Sequence, residues 1–187
     1  MDSIFHYRQE SSVGFQFEII KDLTLNEVCL LKSDQFSDHR GSIWTTYRDN
    51  DFKRLGLPVF THDKCAVSKY QVLRGIHGDF KSWKLVSCLH GAVEQVVVDC
   101  RAGSPSFKKW TRYELQGGDG NAVLIPPGFG NAFLVTSDCG AVYNYKLSYD
   151  GQYNDAEEQF TYPWNDSSIG INWSINNPKL SLRDKGE

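Results

Sequence analysis

One short stretch holds three residues that can do chemistry together. In Leu73-Arg74-Gly75-Ile76-His77-Gly78-Asp79 a histidine stands just after an arginine, and Lys84 follows with Leu85 and Val86. An imidazole can take or give a proton near neutral pH without large tuning. The guanidinium suits bidentate contact with an anion, and the ammonium is a compact point charge. Such a set suits proton abstraction beside a carbonyl, on a substrate that carries phosphate.

The elements that must position this set read as strands. The stretch itself reads as strand–turn–strand. Short β-rich runs recur along the chain: Val28–Leu31, Ile43–Tyr47, Lys84–Leu89, Ala92–Asp99, Trp110–Leu115, Ala122–Pro126 and Ala132–Thr136. Several alternate apolar and polar residues, as half-buried strands do. Turn signals separate them at Asp38-His39-Arg40-Gly41, His90-Gly91, Gly117-Gly118-Asp119-Gly120-Asn121 and Pro126-Pro127-Gly128. Many short strands at roughly ten-residue spacing predict an all-β sandwich or jelly roll. One short helix is predicted after Asp49, through Phe52-Lys53-Arg54-Leu55, ended by Gly56. No linker, repeat or low-complexity segment interrupts residues 1–187, so one domain is expected.

The bulk numbers agree with a packed globule. The chain has 187 residues, 40% of them hydrophobic and 13% aromatic, enough for one full core. The net charge is −3 and no basic block stands out, which argues against nucleic acid as the main partner. Met1-Asp2-Ser3-Ile4-Phe5-His6-Tyr7-Arg8 lacks the basic n-region of a signal peptide, and no apolar run approaches the ~20 residues of a membrane span. A cytoplasmic protein is the expectation. The five cysteines, Cys29, Cys65, Cys88, Cys100 and Cys139, are odd in number and scattered, as reduced buried thiols would be.

Gly120 followed by Pro126-Pro127-Gly128-Phe129-Gly130-Asn131 resembles the second motif of cupins, with asparagine where histidine usually stands. The first cupin motif would supply two histidines one residue apart; here His77 is followed by Asp79. The chain therefore resembles a cupin jelly roll that has lost a metal-binding set. His77, Asp79 and His90 are an improvised alternative, but three or four well-placed ligands are usually needed and no metal is expected.

A longer succession is more specific. Asp38–Gly41, Val72–His77, Lys84–Val86, Val98–Arg101, Gly103–Phe107, Ile125–Phe129, Tyr145-Lys146, Trp164–Asp166, Ile169–Trp173 and Leu180–Asp184 follow one another from about residue 20 to 184. Each is weak alone; together, in this order, they resemble the dTDP-4-dehydrorhamnose 3,5-epimerase family. A narrower likeness, carried by Arg74–Asp79, Gln95–Arg101, Gly130-Asn131 and Asp155–Tyr162, is to the branch acting on GDP-4-keto-6-deoxy-heptoses in capsule and lipopolysaccharide synthesis.

The resemblance implies an epimerase that needs neither metal nor redox cofactor, because the 4-keto group of the substrate already acidifies the C–H bonds at C3 and C5. Each epimerisation needs a base on one face, an acid on the other, and a group to stabilise the enolate oxygen. His77 is the expected base. Asp184 matches the aspartate that pairs with it and fixes its tautomer. Tyr145 matches the proton donor, with Tyr143 second because the gap from Asn131 is one residue longer than the family pattern. Lys84 would stabilise the enolate oxygen. Arg74 and Arg40 would bind the diphosphate, with His62 and Lys64 near it, and Arg183 would contact the substrate. Trp44 and Tyr149 are candidate stacking surfaces for the base or sugar. Asn131 stands at a substrate-contact position in place of the usual histidine. The resemblance also implies a homodimer that swaps N-terminal strands. A nucleotide-sugar 3,4-ketoisomerase, a sugar-nucleotide-binding cupin without catalysis, and a metal-dependent cupin oxygenase remain as rival readings.

Overall fold

Apolar alternation does set the architecture. The computed structural model describes residues 17–149 and 158–185. Its strands are β1 (Phe17–Lys21), β2 (Cys29–Ser33), β3 (Gln35–Asp38), β4 (Gly41–Trp44), β5 (His62–Ser68), β6 (Leu73–Gly78), β7 (Trp83–His90), β8 (Ala92–Asp99), β9 (Trp110–Gln116), β10 (Asn121–Ile125), β11 (Phe129–Val135), β12 (Ala141–Ser148) and β13 (Phe160–Thr161). Two short helices join them, α1 (Asp49–Arg54) and α2 (Leu182–Lys185). The helix predicted after Asp49 is α1. It carries Asp49 and Asp51 in its first turn and Lys53 and Arg54 in its last, as the helix dipole favours, and Gly56 beyond it takes φ +68°.

The strands form a six-stranded sheet, β1-β2-β10-β7-β12-β5, facing a five-stranded one, β13-β6-β11-β8-β9, with all pairings in both antiparallel. The strands β3 and β4 make a separate hairpin around His39-Arg40, with the paired Phe36 and Ile43 exposed. Three hydrophobic clusters fill the layers. The first lies between the sheets around Val86, Val97, Phe129 and Tyr143, and contains Cys88. The second lies on the outer face of the five-stranded sheet, where Ile169 and Trp173 of the C-terminal segment cover Val96, Val98 and Cys100. The third packs Phe52 and Phe60 against the outer face of the six-stranded sheet, and contains Cys29. This explains the near-continuous apolar run of β8: both of its faces are covered. All five cysteines are free; Cys29, Cys88 and Cys100 are buried as expected, whereas Cys65 and Cys139 are exposed.

One irregularity places the chemistry. In a regular strand Arg74 and His77 would point to opposite faces. The β6–β11 register slips between Asn131, opposite His77, and Phe133, opposite Arg74, so a bulge at Gly75-Ile76 puts both side chains on the inner face. Gly75 takes φ +127°, and a Cβ there would lie 2.4 Å from that of Ala132. Gly75→Ala is therefore expected to destabilise the fold by about 2–4 kcal/mol, read as a lower Tm. An unchanged Tm would show that β6 can close without the bulge.

The N-terminus before Phe17, where strand exchange was expected, lies outside the described residues, as do residues 155–157 of the Asp155–Tyr162 motif. Among the described residues no helix is long and apolar enough to cross a membrane.

Candidate active site

Between the sheets lies a cavity of about 300 Å³. The inner face of β6 contributes Arg74 and His77, β7 contributes Lys84, β11 contributes Asn131 and Phe133, and β12 contributes Tyr143 and Tyr145. The C-terminal segment adds Ser181, Arg183 and Asp184. Of the thirteen candidate site residues singled out in the sequence, eight meet here: His77, Tyr145, Tyr143, Lys84, Asp184, Arg74, Asn131 and Arg183.

Asp184 arrives from 107 residues away. The C-terminal segment is tied to β6 by the amide of Leu73, which donates to the Lys179 carbonyl, and by the amide of Lys179, which donates to that of Gln71. Just beyond, the Asp184 carboxylate is buried, with 3% of its residue surface exposed. It accepts from His77 Nε2 at 2.7 Å, from the Gly75 amide at 3.1 Å and from the Ser181 hydroxyl at 2.6 Å. Burial alone would raise its pKa; the bonds from His77, Ser181 and Gly75 together outweigh that and hold it at about 2, below the usual 3.8. The carboxylate is thus ionised and keeps the His77 proton on Nε2. Nδ1 is left as the basic nitrogen, 3.2 Å from the hydroxyl of Thr161. That hydroxyl in turn accepts from Arg183 Nε, while Arg183 Nη2 donates to Gln159.

The sign of the Asp184 shift fixes a pH effect. Its folded-state pKa is depressed, so its contribution to stability is present above about pH 4 and is lost as pH falls toward 2. Asp184→Asn is expected to cost on the order of 2 kcal/mol at pH 6 in urea unfolding. The gap to wild type should narrow at pH 3. A gap independent of pH would show that the charge is not what is stabilised.

Lys84 is 5% exposed, with Nζ 3.6 Å from Asp79 Oδ2 and 3.5 Å from the His77 carbonyl. Asp79 also accepts from the amides of Lys81 and Ser82. Burial pushes the Asp79 pKa up, but Lys84 and those two amides outweigh it and hold the carboxyl low. Asp79 is therefore committed to anchoring an ammonium at the cavity wall. The improvised set of His77, Asp79 and His90 is not assembled, since His90 sits at the far end of β7, and no metal-holding group of three occurs among the described residues.

The two tyrosines differ sharply. Tyr143 is 1% exposed, stacks on Phe133 at 4.0 Å, and donates its hydroxyl to Gln95 Oε1 at 2.6 Å. Burial pushes its pKa well above the usual value. Tyr145 is only partly buried, and it lies on the sheet opposite His77.

Five sequence candidates stand elsewhere. Arg40 is an exposed residue paired with Asp38 on the separate β3–β4 hairpin, outside the cavity lining. Trp44 lines a small separate cavity with Asn144 and Lys146, the residues of β12 that face outward. His62 and Lys64 alternate with cavity-lining Ala66 along β5, so they extend the same face beyond the cavity. Tyr149 follows β12, its ring centroid 6.4 Å from that of His62. Gln95, Gln159 and Thr161 entered the sequence reading only as members of the motifs Gln95–Arg101 and Asp155–Tyr162, not as site residues; their contacts with residues far along the chain give them their place here.

The fold is a cupin-type jelly roll, and the cavity between its sheets has the make-up of an acid–base isomerase. The chain belongs to the dTDP-4-dehydrorhamnose 3,5-epimerase family, whose model matches residues 22–187. It is 38% identical to the dTDP-4-dehydrorhamnose 3,5-epimerase of Escherichia coli over 154 residues, 80% of this chain and 81% of that protein. A dTDP-6-deoxy-D-glucose-3,5-epimerase from Legionella pneumophila, in complex with dTDP-4-keto-L-rhamnose, superposes with TM-score 0.83 at 30% identity, covering 91% of each chain. A 3'-monoepimerase from Streptomyces bikiniensis in complex with dTDP-quinovose superposes with TM-score 0.80 at 29% identity, covering 89% of this chain and 85% of that one.

Proposed function

We propose that this protein epimerises a nucleotide-linked 4-keto-6-deoxy sugar through an enolate. The observation that carries this reading is the His77–Asp184 pair on one sheet and Tyr145 on the other, lining a single cavity with Lys84. His77 takes the proton next to the ketone at Nδ1, and Asp184 stabilises the imidazolium that forms. Lys84, held by Asp79, faces the negative charge that develops on the ketone oxygen. Tyr145 returns a proton on the opposite face. Arg74 and Arg183 supply cations for the diphosphate.

The GDP-linked 4-keto-6-deoxy-heptose is the preferred substrate. It rests on the likeness of Arg74–Asp79, Gln95–Arg101 and Gly130-Asn131 to that branch. The names of the relatives favour a dTDP-linked hexose as the second choice. Each sugar nucleotide is incubated with the enzyme in D₂O and followed by NMR. Deuterium at C3 or C5 with inversion supports the reading and shows which carbon reacts. A shifted carbonyl would favour the ketoisomerase, and binding without exchange of either sugar would leave only the binding cupin. A homodimer is part of the proposal, supported by the exposed Phe36–Ile43 pair and by the place of β5 at the edge of its sheet among the described residues; sedimentation tests it.

A further inference from the structure

Behind the cavity wall lies a buried polar chain that the proposed steps leave unused. Gln95 is fully buried on β8, and Tyr143 is nearly so on β12. The carboxamide of Gln95 is oriented by a backbone group. Its Nε2 lies 3.1 Å from the Val96 carbonyl, which can only accept, so that end must be the amino group. Its Oε1 accepts from the Tyr143 hydroxyl at 2.6 Å, which fixes the other end. The second proton of Nε2 then goes to Asn131 at 2.6 Å, so the atom of Asn131 turned inward is Oδ1. Tyr143 lies 3.2 Å from the same oxygen. What remains for the cavity is Asn131 Nδ2, a neutral donor. Asn131 is the β11 residue directly opposite His77 on β6, where side chains of paired residues are close neighbours.

We infer that Gln95 is a positioning residue: it locks the Asn131 carboxamide so that Nδ2 donates to the ketone oxygen as that oxygen becomes an enolate. The inference rests on the epimerase reading above. A preset neutral donor there stabilises the charge that appears only in the transition state, so its loss lowers kcat more than it raises KM. A free amide would be as ready to turn its oxygen toward that charge, and a buried unpaired donor or acceptor on Gln95 would be costly. The donor is a carboxamide, which does not titrate.

The test is Gln95→Glu, which keeps the shape and reverses the polarity. The carboxylate so introduced can only accept when ionised, so Asn131 turns its amino group inward and presents Oδ1 to the cavity. Burial raises the pKa of this carboxyl, and once protonated it can again donate to Asn131 Oδ1. The expected result is a kcat about 100-fold below wild type at high pH. KM should change little, and the ratio of variant to wild-type kcat should climb as pH falls. Comparing the ratio removes the pH effects common to both proteins. A constant ratio across pH, or a kcat equal to wild type throughout, overturns the role of Gln95 while wild-type exchange keeps the epimerase reading. No exchange by the wild type overturns both.

Discussion

His77→Asn is expected to slow deuterium incorporation at the reacting carbon by about 10³-fold. Asparagine can still donate an N–H toward Asp184 Oδ1, so the buried carboxylate keeps a partner and the C-terminal segment stays docked. What disappears is the basic nitrogen. Arg74, Lys84 and Arg183 are untouched, so affinity for the sugar nucleotide should hold within a few-fold while kcat collapses. The measurement is NMR wash-in from D₂O with both proteins at saturating substrate. A variant that exchanges within fivefold of wild type would remove His77 from the chemistry.

Tyr145→Phe is expected to separate two processes that wild type couples. With His77 intact, the proton next to the ketone still leaves and can return from the same face. Deuterium therefore enters with retention. Inversion needs an acid on the opposite face, and its rate should fall by about 10²–10⁴-fold. Tyr143→Phe makes the contrast. Its hydroxyl is spent on Gln95 inside the core, so its loss should cost about 1–2 kcal/mol of stability while inversion persists. If Tyr143→Phe stops inversion and Tyr145→Phe does not, the two roles are exchanged.

What was legible in the sequence was local. The strand β8 runs over the same Ala92–Asp99 that its pattern marks, and the helix after Asp49 ends before Gly56 as its residues suggest. His77, Arg74 and Lys84 are near neighbours along the chain, so one strand–turn–strand unit suffices to gather them. The bulge that makes this true was not legible, because a glycine in a strand does not declare which way it resets the alternation. Asp184 was reachable only through family likeness, since nothing in its own surroundings points to a histidine 107 residues away. Gln95 looked like one polar residue in an apolar run. Its meaning comes from β11 and β12, which pair or pack with it only in the closed sandwich. The place of Arg40 was not legible either: a loop arginine keeps its charge wherever the hairpin points.

The three clusters that fill the layers each hold one buried cysteine: Cys88 between the sheets, Cys100 beneath the C-terminal cover, and Cys29 under α1. Burial raises the thiol pKa of all three, to about 11 for Cys88 and about 12 for Cys100, so none is a nucleophile while its layer is closed. Each layer thus carries its own chemical witness. A reagent that traps exposed thiols records when the C-terminal cover lifts from the outer face of the five-stranded sheet, separately from when the two sheets part or the helix leaves. The order in which this molecule comes undone is written in three sulfur atoms.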